Sequence, residues 1–420
     1  MVFKCQTDSF LKEFETEVVK VEKNEEGKSL VQFEDTVLFP EGGGQPTDHG
    51  KIILKRDEGK EIEFDVKNVI RKGPDAIHYI ESTDTDVFLK VGDKVKQIVD
   101  WERRHDNMQQ HSAQHLISGL FEIHYKYPTR AWWLGADVSY IELDAKNITD
   151  NEMKHIECMV NVYIASATPV HVLMFDTADA TGEEVTRAAK GLPVDLSGPV
   201  RVINIEGIES NMCCGTHVSN LAQLQMVKLL NIEKTKGKTI VKFLAGNRVF
   251  KKLETSFQRE VQLTAMLNNG PDSHIDLVKK LQTNLKSSQK TLQKLSKELA
   301  TKIAEELNAK TNLENYFSLH NKDGVDVDFS NTFLRVLKSK SLFVFMTIAD
   351  AIDSKSGSLI IQGNPKDIEA LADPICKLLN GKGNGKNNRF NAKVTQLNKV
   401  KDCEILIKNH FANKKISDQV

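Results

Sequence analysis

The chain has 420 residues, of which 40% are hydrophobic and 27% are charged, and these ordinary proportions predict a globular protein of two to four domains. The 57 Lys and Arg residues nearly balance the 58 Asp and Glu residues, which excludes a strongly basic protein, so that attraction to nucleic acid depends on local patches. Six scattered cysteines, a polar N-terminus and short apolar runs argue against a disulfide framework, a secretory signal and a membrane span, so we expect a cytoplasmic protein.

The first region, residues 1–98, is predicted to be rich in β-strands. Its strand candidates are short and are separated by Gly, Pro and Asp, an arrangement typical of a small barrel or sandwich. The candidates cover residues 29–39, 51–54, 61–66, 76–80 and 87–91.

The second region, residues 99–255, alternates helices with strands. Asp100 is predicted to cap a helix, because the apolar residues from Ala113 to Phe121 recur after it at helical spacing. Further helices are predicted near 150–166 and 181–190, among strands at 137–143, 169–175, 200–205, 224–230 and 238–245. This order of elements indicates an α+β domain.

The third region, residues 256–315, is predicted to be helical with one interruption at 268–273. Leucines recur every three or four residues among Lys, Gln and Glu, which predicts a helical hairpin or a short coiled coil whose apolar stripe is a packing seam. The last region, residues 325–420, contains strand candidates at 341–348 and 358–362, a helix near 365–380 and a glycine-rich loop at 380–394. It is predicted to be a small α/β domain.

Two short motifs in the second region together predict a metal site. His111 and His115 are four residues apart, so both imidazoles project from one face of the predicted helix. The stretch "NMCCGTHV" (211–218) adds two thiols and a third imidazole, and thiolate with imidazole ligands favours zinc over magnesium or calcium. Each motif alone is more often packing or a tight turn, but their joint occurrence favours one zinc ion. Ser112 stands where zinc peptidases carry a glutamate, so that pattern does not apply.

These motifs resemble a known family. "QHSAQHLIS" followed by "CCGTHV" is similar to the editing domain of alanyl-tRNA synthetases and of their free-standing relatives, the AlaX-type alanyl-tRNA editing proteins. "DTVLFPEGGGQPTDHG" (35–50) is similar to the family's glycine-rich signature, and the similarity extends over roughly residues 30–255. The alignment on Gly215-Thr216-His217 implies the zinc ligands His111, His115, Cys213 and His217. Cys214 then occupies a position where the family has glycine, and it stays open whether Cys214 coordinates instead.

The resemblance also implies a fold and an activity. It implies an α+β multidomain protein with a small β-barrel, a zinc-binding editing domain, a helical segment and a small C-terminal domain similar to the synthetase's tRNA-binding domain. The implied reaction is hydrolysis of the ester that joins serine, or glycine, to tRNA for alanine. No nucleotide-binding signature is visible, and the four regions leave no room for an aminoacylation domain, so the editing is expected to act in trans.

Three further groups of residues are expected to contact the mischarged tRNA. Gly42, Gly43, Gly44 and Gln45 allow a backbone to approach a ligand closely, here the terminal adenosine or its phosphate, although a plain hairpin loop is the alternative. Thr129 and Arg130 follow the ligand helix and are expected to line the pocket, with the neighbouring tryptophans in the core. Residues 381–420 contain nine Lys and Arg residues against three Asp and Glu residues. Within that basic tail, the candidate phosphate contacts are Lys382, Lys386 and Arg389.

The part that the metal plays stays open at this point. Four protein ligands would complete a tetrahedron, and closed zinc sites are usually structural. Either one ligand yields its position, so that the ion polarises the ester carbonyl or activates water, or backbone donors near Cys213 and Gly215 stabilise the oxyanion. Two other functions also stay open, namely editing of seryl-tRNA for threonine and a non-catalytic, zinc-stabilised RNA-binding protein. The preference for serine or glycine and the oligomeric state are likewise undecided.

Overall fold

The computed structural model describes residues 2–23, 29–56, 61–82, 88–175, 200–235, 237–311, 314–322, 327–350 and 353–417. The chain divides into two compact units, Met1–Gln262 and Leu263–Val420. The described residues form a mixed α+β fold with a closed barrel, which confirms that part of the prediction. None of the described helices combines the length and the apolar character that crossing a bilayer requires. The helix predicted near 181–190 lies outside the described residues, and the division into four regions stays a prediction.

The first unit begins with a closed antiparallel barrel, which a short helix, α1 (Lys4–Thr7), precedes. The six strands are β1 (Glu13–Lys23), β2 (Ser29–Phe33), β3 (Gly50–Lys55), β4 (Glu61–Lys72), β5 (Asp75–Ser82) and β6 (Lys94–Val99). Their order around the barrel is β1-β2-β5-β4-β3-β6, and the barrel closes because β1 pairs with β6. The apolar side chains of these strands fill the interior and form one of the four hydrophobic cores found among the described residues.

The barrel confirms the predicted architecture but corrects several strands. β1 and β6 were not predicted, because charged residues on the outer face alternate with residues on the inner face and neither strand forms an apolar run. In β6 the inner positions are Val95, Gln97 and Val99. The predicted strand at 87–91 is wrong, since the described residues 88–91 form none. The strand predicted at 29–39 ends at Phe33 in the structure. Residues 37–39 are not part of a strand, but their side chains pack in the barrel core.

The rest of the first unit surrounds one central helix, α2 (Trp101–Tyr125). Asp100 caps it as predicted, since its side chain accepts a hydrogen bond from the backbone N–H of Arg103. The other elements are β7 (Thr129–Leu134), β8 (Ser139–Leu143), α3 (Asp150–Ala165), β9 (Val170–Phe175), β10 (Val200–Ile205), β11 (Glu209–Met212), β12 (Val227–Thr235), β13 (Lys238–Ala245) and the start of α4 (Asn247–Leu267). They form a four-stranded sheet, β12-β13-β8-β7, and a three-stranded sheet, β11-β10-β9. β7 and β11 were not predicted.

Helix α2 is buried on every side from Asn107 to Phe121. The predicted apolar positions, such as Leu116 and Phe121, lie in the core, which confirms them. The polar residues between them are buried as well. A buried ion pair connects the helix to the barrel, because Arg104 Nε lies 2.7 Å from Asp48 Oδ2 and both side chains are inaccessible to solvent. Asp48 belongs to the glycine-rich signature, so this signature fixes the barrel against the helix that carries His111 and His115.

The second unit is a five-stranded sheet with helices on both faces. Its elements are α5 (His274–Ala309), β14 (Tyr316–Asn321), α6 (Val327–Val336), β15 (Phe343–Ala349), β16 (Gly357–Gln362), α7 (Pro365–Leu378), β17 (Lys382–Lys386), β18 (Arg389–Val394) and α8 (Val400–Ser417). The strand order is β14-β15-β16-β18-β17, and only β14 and β15 are parallel to each other. Helices α7 and α8 pack on one face of the sheet, and α6 with the end of α5 packs on the other.

Two expectations about this unit need correction. The predicted glycine-rich loop at 380–394 is a β-hairpin made of β17 and β18, with its turn at 387–388. The leucine stripe of α5 is a packing seam only at its C-terminal end, where Ala300, Ala304 and Leu307 enter a core. Earlier in the helix, Leu281 and Leu292 are 56% and 63% exposed.

Candidate metal centre

Four side chains from two segments of the first unit meet at one buried point. His111 and His115 lie one turn apart on α2, Cys213 follows the end of β11, and His217 lies in the loop after it. Their ligand atoms all lie within 4.8 Å of one another, and all four residues are buried. The structure therefore brings together all four residues that the resemblance implies.

The three imidazoles are oriented by a different partner at each Nδ1 atom. His111 Nδ1 lies 2.9 Å from Gln45 Oε1, His115 Nδ1 lies 2.8 Å from Glu209 Oε1, and His217 Nδ1 lies 3.0 Å from Ser112 Oγ. A ring that donates its Nδ1–H to such an acceptor has a free Nε2 for a metal. The Nε2 atoms of His111 and His217 face the Cys213 sulfur.

The distances fit a tetrahedral zinc site. Cys213 Sγ lies 3.4 Å from His111 Nε2 and 3.3 Å from His217 Nε2. Usual zinc–nitrogen and zinc–sulfur bond lengths at tetrahedral angles place such ligand atoms about 3.5 Å apart. One thiolate with three imidazoles is also a donor set that suits zinc. The cluster could therefore hold a metal ion, and these two distances and the donor set are compatible with zinc.

The Cys213–Val218 turn is held close against α2. The backbone N–H of Val218 donates to Ser112 Oγ, so this hydroxyl binds both the turn and the His217 ring. Gly215 has no room for a side chain, since a Cβ there would overlap the His111 ring. The N–H groups of residues 215–218 each have an acceptor within the protein: Cys213 Sγ, Gln45 Oε1, Ser9 Oγ and Ser112 Oγ. These four donors are therefore engaged in holding the turn.

The pKa shifts of three of the four side chains favour the charge states that bind a divalent cation. Burial disfavours the Cys213 thiolate, but His111 and His217 beside it outweigh burial and hold the pKa of Cys213 well below its usual value. Burial lowers the pKa of both His111 and His217. Burial also acts to lower the pKa of His115, but its hydrogen bonds to Cys213 and Glu209 raise that pKa to about 10. The cluster thus favours one thiolate beside positive charge, which is the environment of a metal ligand.

Cys213, and not Cys214, belongs to the cluster. The Cys214 side chain lies against the glycine-rich turn, where a Cβ on Gly43 would come within 2.8 Å of its sulfur. Burial and the neighbouring Cys213 raise the pKa of Cys214 to about 11, so its thiol stays protonated. This geometry supports Cys213 as the ligand.

The glycine-rich turn lies beside the cluster. Gly42 and Gln45 exchange two backbone hydrogen bonds, and Gly43 and Gly44 between them have φ values of 54° and 76°, which glycine adopts without strain. A Cβ on Gly44 would lie 2.5 Å from the Trp132 ring, and that ring is centred 4.9 Å from the His111 ring. The turn is therefore present and lies beside the cluster, whereas its predicted approach to the terminal adenosine or its phosphate stays a prediction.

Gln45 is fully buried and directs its amide into the cluster. Its Oε1 accepts from His111 Nδ1 and from the backbone N–H of Thr216 at 2.8 Å, while its Nε2 donates to Thr216 Oγ1 at 2.8 Å. These contacts orient a ligand side chain and the turn. Contact of Gln45 with a substrate, which the sequence predicts, stays a prediction.

The two residues predicted to line the pocket have other partners. Thr129 Oγ1 donates a hydrogen bond to Ser118 Oγ at 2.8 Å. Ser118 lies on α2, three residues after His115. Arg130 is exposed and forms an ion pair with Asp144. The assignment of Thr129 and Arg130 to a substrate site stays a prediction.

The basic residues predicted to contact tRNA phosphates lie on one face of the β17–β18 hairpin. Lys382 pairs in register with Lys393, Asn384 with Asn391, and Lys386 with Arg389, and directly opposite residues project to the same side of a sheet. The opposite face of the hairpin pairs Gly383 and Gly385 with the buried residues Ala392 and Phe390. One face of the hairpin therefore carries four cationic and two amide side chains.

Sequence reasoning missed three residues that contact the centre, Ser112, Glu209 and Trp132, and it missed Asp48, which pairs with Arg104 on the helix that carries His111 and His115. In the sequence, Ser112 was noted only because zinc peptidases carry a glutamate at the corresponding position of their motif. Glu209 precedes Cys213 by four residues, a spacing that places both on one face of a strand, but β11 was not predicted. Trp132 was expected in the core, and it does pack against the core of this unit, but its ring also lies next to Gly44 and His111, which was not predicted.

Comparison with known proteins adds an independent finding. Residues 200–241 match the family described as threonyl and alanyl tRNA synthetase second additional domain, and residues 3–103 match tRNA synthetases class II (A). The chain is 41% identical to alanyl-tRNA editing protein Aarsd1 of Danio rerio over 97% of both chains, and 39% identical to alanyl-tRNA editing protein Aarsd1-A of Xenopus laevis over 100% of both. It is also 32% identical to alanyl-tRNA editing protein AlaX-M of Methanosarcina barkeri, over 55% of this chain and 93% of that relative.

Proposed function

Since this chain belongs to the family of alanyl-tRNA editing proteins, we propose that it is an aminoacyl-tRNA deacylase that acts in trans on mischarged tRNA for alanine. The reaction is hydrolysis of the ester bond between the wrong amino acid and the tRNA. The observation that carries the proposal is the buried group of three imidazoles and one thiol in a chain that matches editing proteins along its whole length. The six free cysteines are compatible with a reducing compartment, and we place the activity in the cytoplasm.

Serine is the amino acid that this reaction most needs to remove. An apolar pocket for alanine rejects an added hydroxyl group only weakly, so a synthetase needs a second site to correct the error. A second site that hydrogen-bonds the seryl hydroxyl would spare alanine, because alanine would leave the buried polar groups of that site unpaired. We therefore propose the seryl ester as the main substrate, with the glycyl ester as an alternative that the same assay tests.

We propose zinc as the metal, held by His111, His115, Cys213 and His217. When bound, zinc would supply Lewis acidity toward the ester carbonyl. The protein's part is to keep the three imidazoles in position through their Nδ1 partners. Because the N–H groups of residues 215–218 already have protein acceptors, we regard them as poor candidates for stabilising an oxyanion.

We propose that the turn with Gly43 and Gly44 forms the side of the site that receives the terminal adenosine of the tRNA. The turn lies beside the cluster, and the half-buried Trp132 next to it offers an aromatic face. Thr129 and Arg130 follow α2 in the chain, so they remain our candidates for contacts farther from the reacting ester.

We propose that the basic face of the β17–β18 hairpin binds tRNA phosphates through Lys382, Lys386 and Arg389. Lys382 and Lys386 are exposed, and Lys393 on the opposite strand extends the same face. Arg389 is half-buried and donates from Nη2 to Asn331 Oδ1 at 3.0 Å, so its guanidinium is already partly engaged. We therefore expect Lys382 and Lys386 to contribute more than Arg389.

The proposed reaction is tested by comparing four substrates: seryl-, glycyl- and alanyl-tRNA for alanine, and seryl-tRNA for threonine. Rapid deacylation of the seryl ester on tRNA for alanine, its loss with a chelator and its recovery with zinc are the expected results. A preference for tRNA for threonine would move the assignment to the other synthetase. His111→Ala is expected to abolish deacylation while tRNA binding persists. No deacylation of any of the four substrates by the zinc-loaded protein would favour a non-catalytic RNA-binding protein.

The proposed tRNA surface has a separate test. Replacement of Lys382, Lys386 and Arg389 by Gln is expected to weaken binding of full-length tRNA and to reduce its salt dependence. Deacylation of a short aminoacyl minihelix is expected to stay unchanged, because that substrate lacks the distant phosphates. Equal loss on both substrates would contradict a separate binding surface.

A further inference from the structure

Glu209 is a buried carboxylate that touches the metal centre without belonging to its ligands. It is the first residue of β11, only 6% of it is exposed, and its Oε1 lies 2.8 Å from His115 Nδ1. The other two imidazoles have neutral partners, the amide of Gln45 and the hydroxyl of Ser112. Glu209 is therefore the one carboxylate among the three Nδ1 partners.

The fold makes room for this carboxylate. Gly119 follows His115 by one helical turn on α2 and faces the β10–β11 hairpin. A Cβ on Gly119 would lie 2.9 Å from Ile208 Cγ2 and 3.4 Å from Glu209 Oε2. The glycine thus lets the hairpin approach the helix closely enough for the glutamate to reach the far side of the His115 ring.

The carboxylate also balances the charge of the centre. A divalent cation with the Cys213 thiolate and neutral imidazoles has a net charge of +1, which is unfavourable in a buried place. The Glu209 carboxylate offsets that charge at hydrogen-bond distance from a ligand. The offset matters because the buried Arg201 guanidinium, whose Nη1 donates to the Cys213 carbonyl oxygen at 2.6 Å, adds a further positive charge. A carboxylate on the far nitrogen also fixes the tautomer of a metal-ligating histidine and strengthens it as a ligand.

We propose that Glu209 is a positioning residue that sets the metal affinity of the centre by holding and polarising His115. The proposal rests on the metal centre of the proposed function. It assigns to Glu209 no contact with the substrate.

The test compares Glu209→Gln with Glu206→Gln in the full-length protein. Glu206 is exposed in the turn before β11, so its replacement removes the same charge from the same hairpin without touching the imidazole. Zinc affinity is measured by competition with a chromophoric chelator, and ligand geometry by the visible absorption of the cobalt-substituted protein. Glu209→Gln is expected to weaken zinc binding about 10- to 100-fold and to change the cobalt spectrum, while Glu206→Gln changes zinc affinity less than about twofold.

Deacylation of seryl-tRNA at varied zinc concentration adds a second readout. If Glu209 acts through the metal, excess zinc restores most of the activity of Glu209→Gln. Unchanged zinc affinity and an unchanged spectrum would overturn the positioning role while leaving the centre in place. A loss of activity that saturating zinc does not restore would also overturn it, because Glu209 would then act on the reaction itself. Absence of zinc binding by the wild-type protein would instead refute the proposed centre.

Discussion

Replacement of Gln45 by Met separates a positioning role from a substrate contact. Met has a similar volume but offers no amide, so two buried donors, His111 Nδ1–H and the N–H of Thr216, lose their acceptor. Each buried donor left without a partner costs about 1–3 kcal/mol, so the free energy of unfolding of the metal-free protein should fall by about 2–6 kcal/mol. The freed His111 ring should weaken zinc binding about 10- to 100-fold. Urea unfolding and chelator competition measure the two effects.

Gln97→Met is the matched control for this prediction. Gln97 is also fully buried in the barrel, and its Oε1 accepts from the N–H of Val37 at 2.8 Å and from Thr36 Oγ1 at 3.0 Å. The control should therefore lose a comparable amount of stability with unchanged zinc affinity. The reasoning is refuted if Gln45→Met keeps the wild-type zinc affinity and instead raises KM for seryl-tRNA, because Gln45 would then contact the substrate.

Three further predictions follow from single positions. Burial lowers the pKa of His78 to about 4, so the folded protein favours the neutral imidazole. The contribution of His78 to stability is therefore fully present above the unfolded pKa of about 6.5 and is lost as the pH falls toward 4. Urea titrations at pH 7 and pH 4 should show that the wild type loses about 3 kcal/mol more unfolding free energy than His78→Gln. Gly215→Ala should weaken zinc binding more than about tenfold, because the added Cβ displaces the His111 ring, whereas Gly270→Ala, with open space around it, should not. Lys393→Gln should weaken tRNA binding and lower the salt slope by about one, measured by filter binding at several salt concentrations; an unchanged slope would exclude Lys393 from the surface.

Much of the fold was predictable where one physical signal dominated. The helical spacing of Ala113 to Phe121 predicted α2 and its apolar core positions, and Asp100 predicted its first turn. The strand β13 and the helix α3 were also predicted nearly to the residue. The missed strands β1 and β6 carry charged residues on their outer face, so their sequences alone do not identify them as barrel strands. Only the structure shows that they pair with each other and thereby close the barrel.

The candidate ligand set could be proposed from the sequence because it rests on residue type and order. Two imidazoles four residues apart share a helix face in any α-helix, and the "CCGTHV" motif carries the remaining donors. The choice between Cys213 and Cys214 needed either a resemblance or coordinates, because adjacent residues in a turn differ in direction and not in chemistry.

The sequence by itself determined those local elements that carry a strong periodic signal, such as α2, α3 and β13, together with the donor chemistry and the family, because each depends on neighbouring residues or on motifs that can be read in order. Only the tertiary structure decided which partners orient the imidazoles. Gln45, Ser112 and Glu209 come from a barrel turn, the ligand helix and a strand, and they reach three rings around a single point. The physical reason is that a hydrogen bond depends on distance and direction between segments remote in the chain, and neither is encoded in the spacing of residues along it.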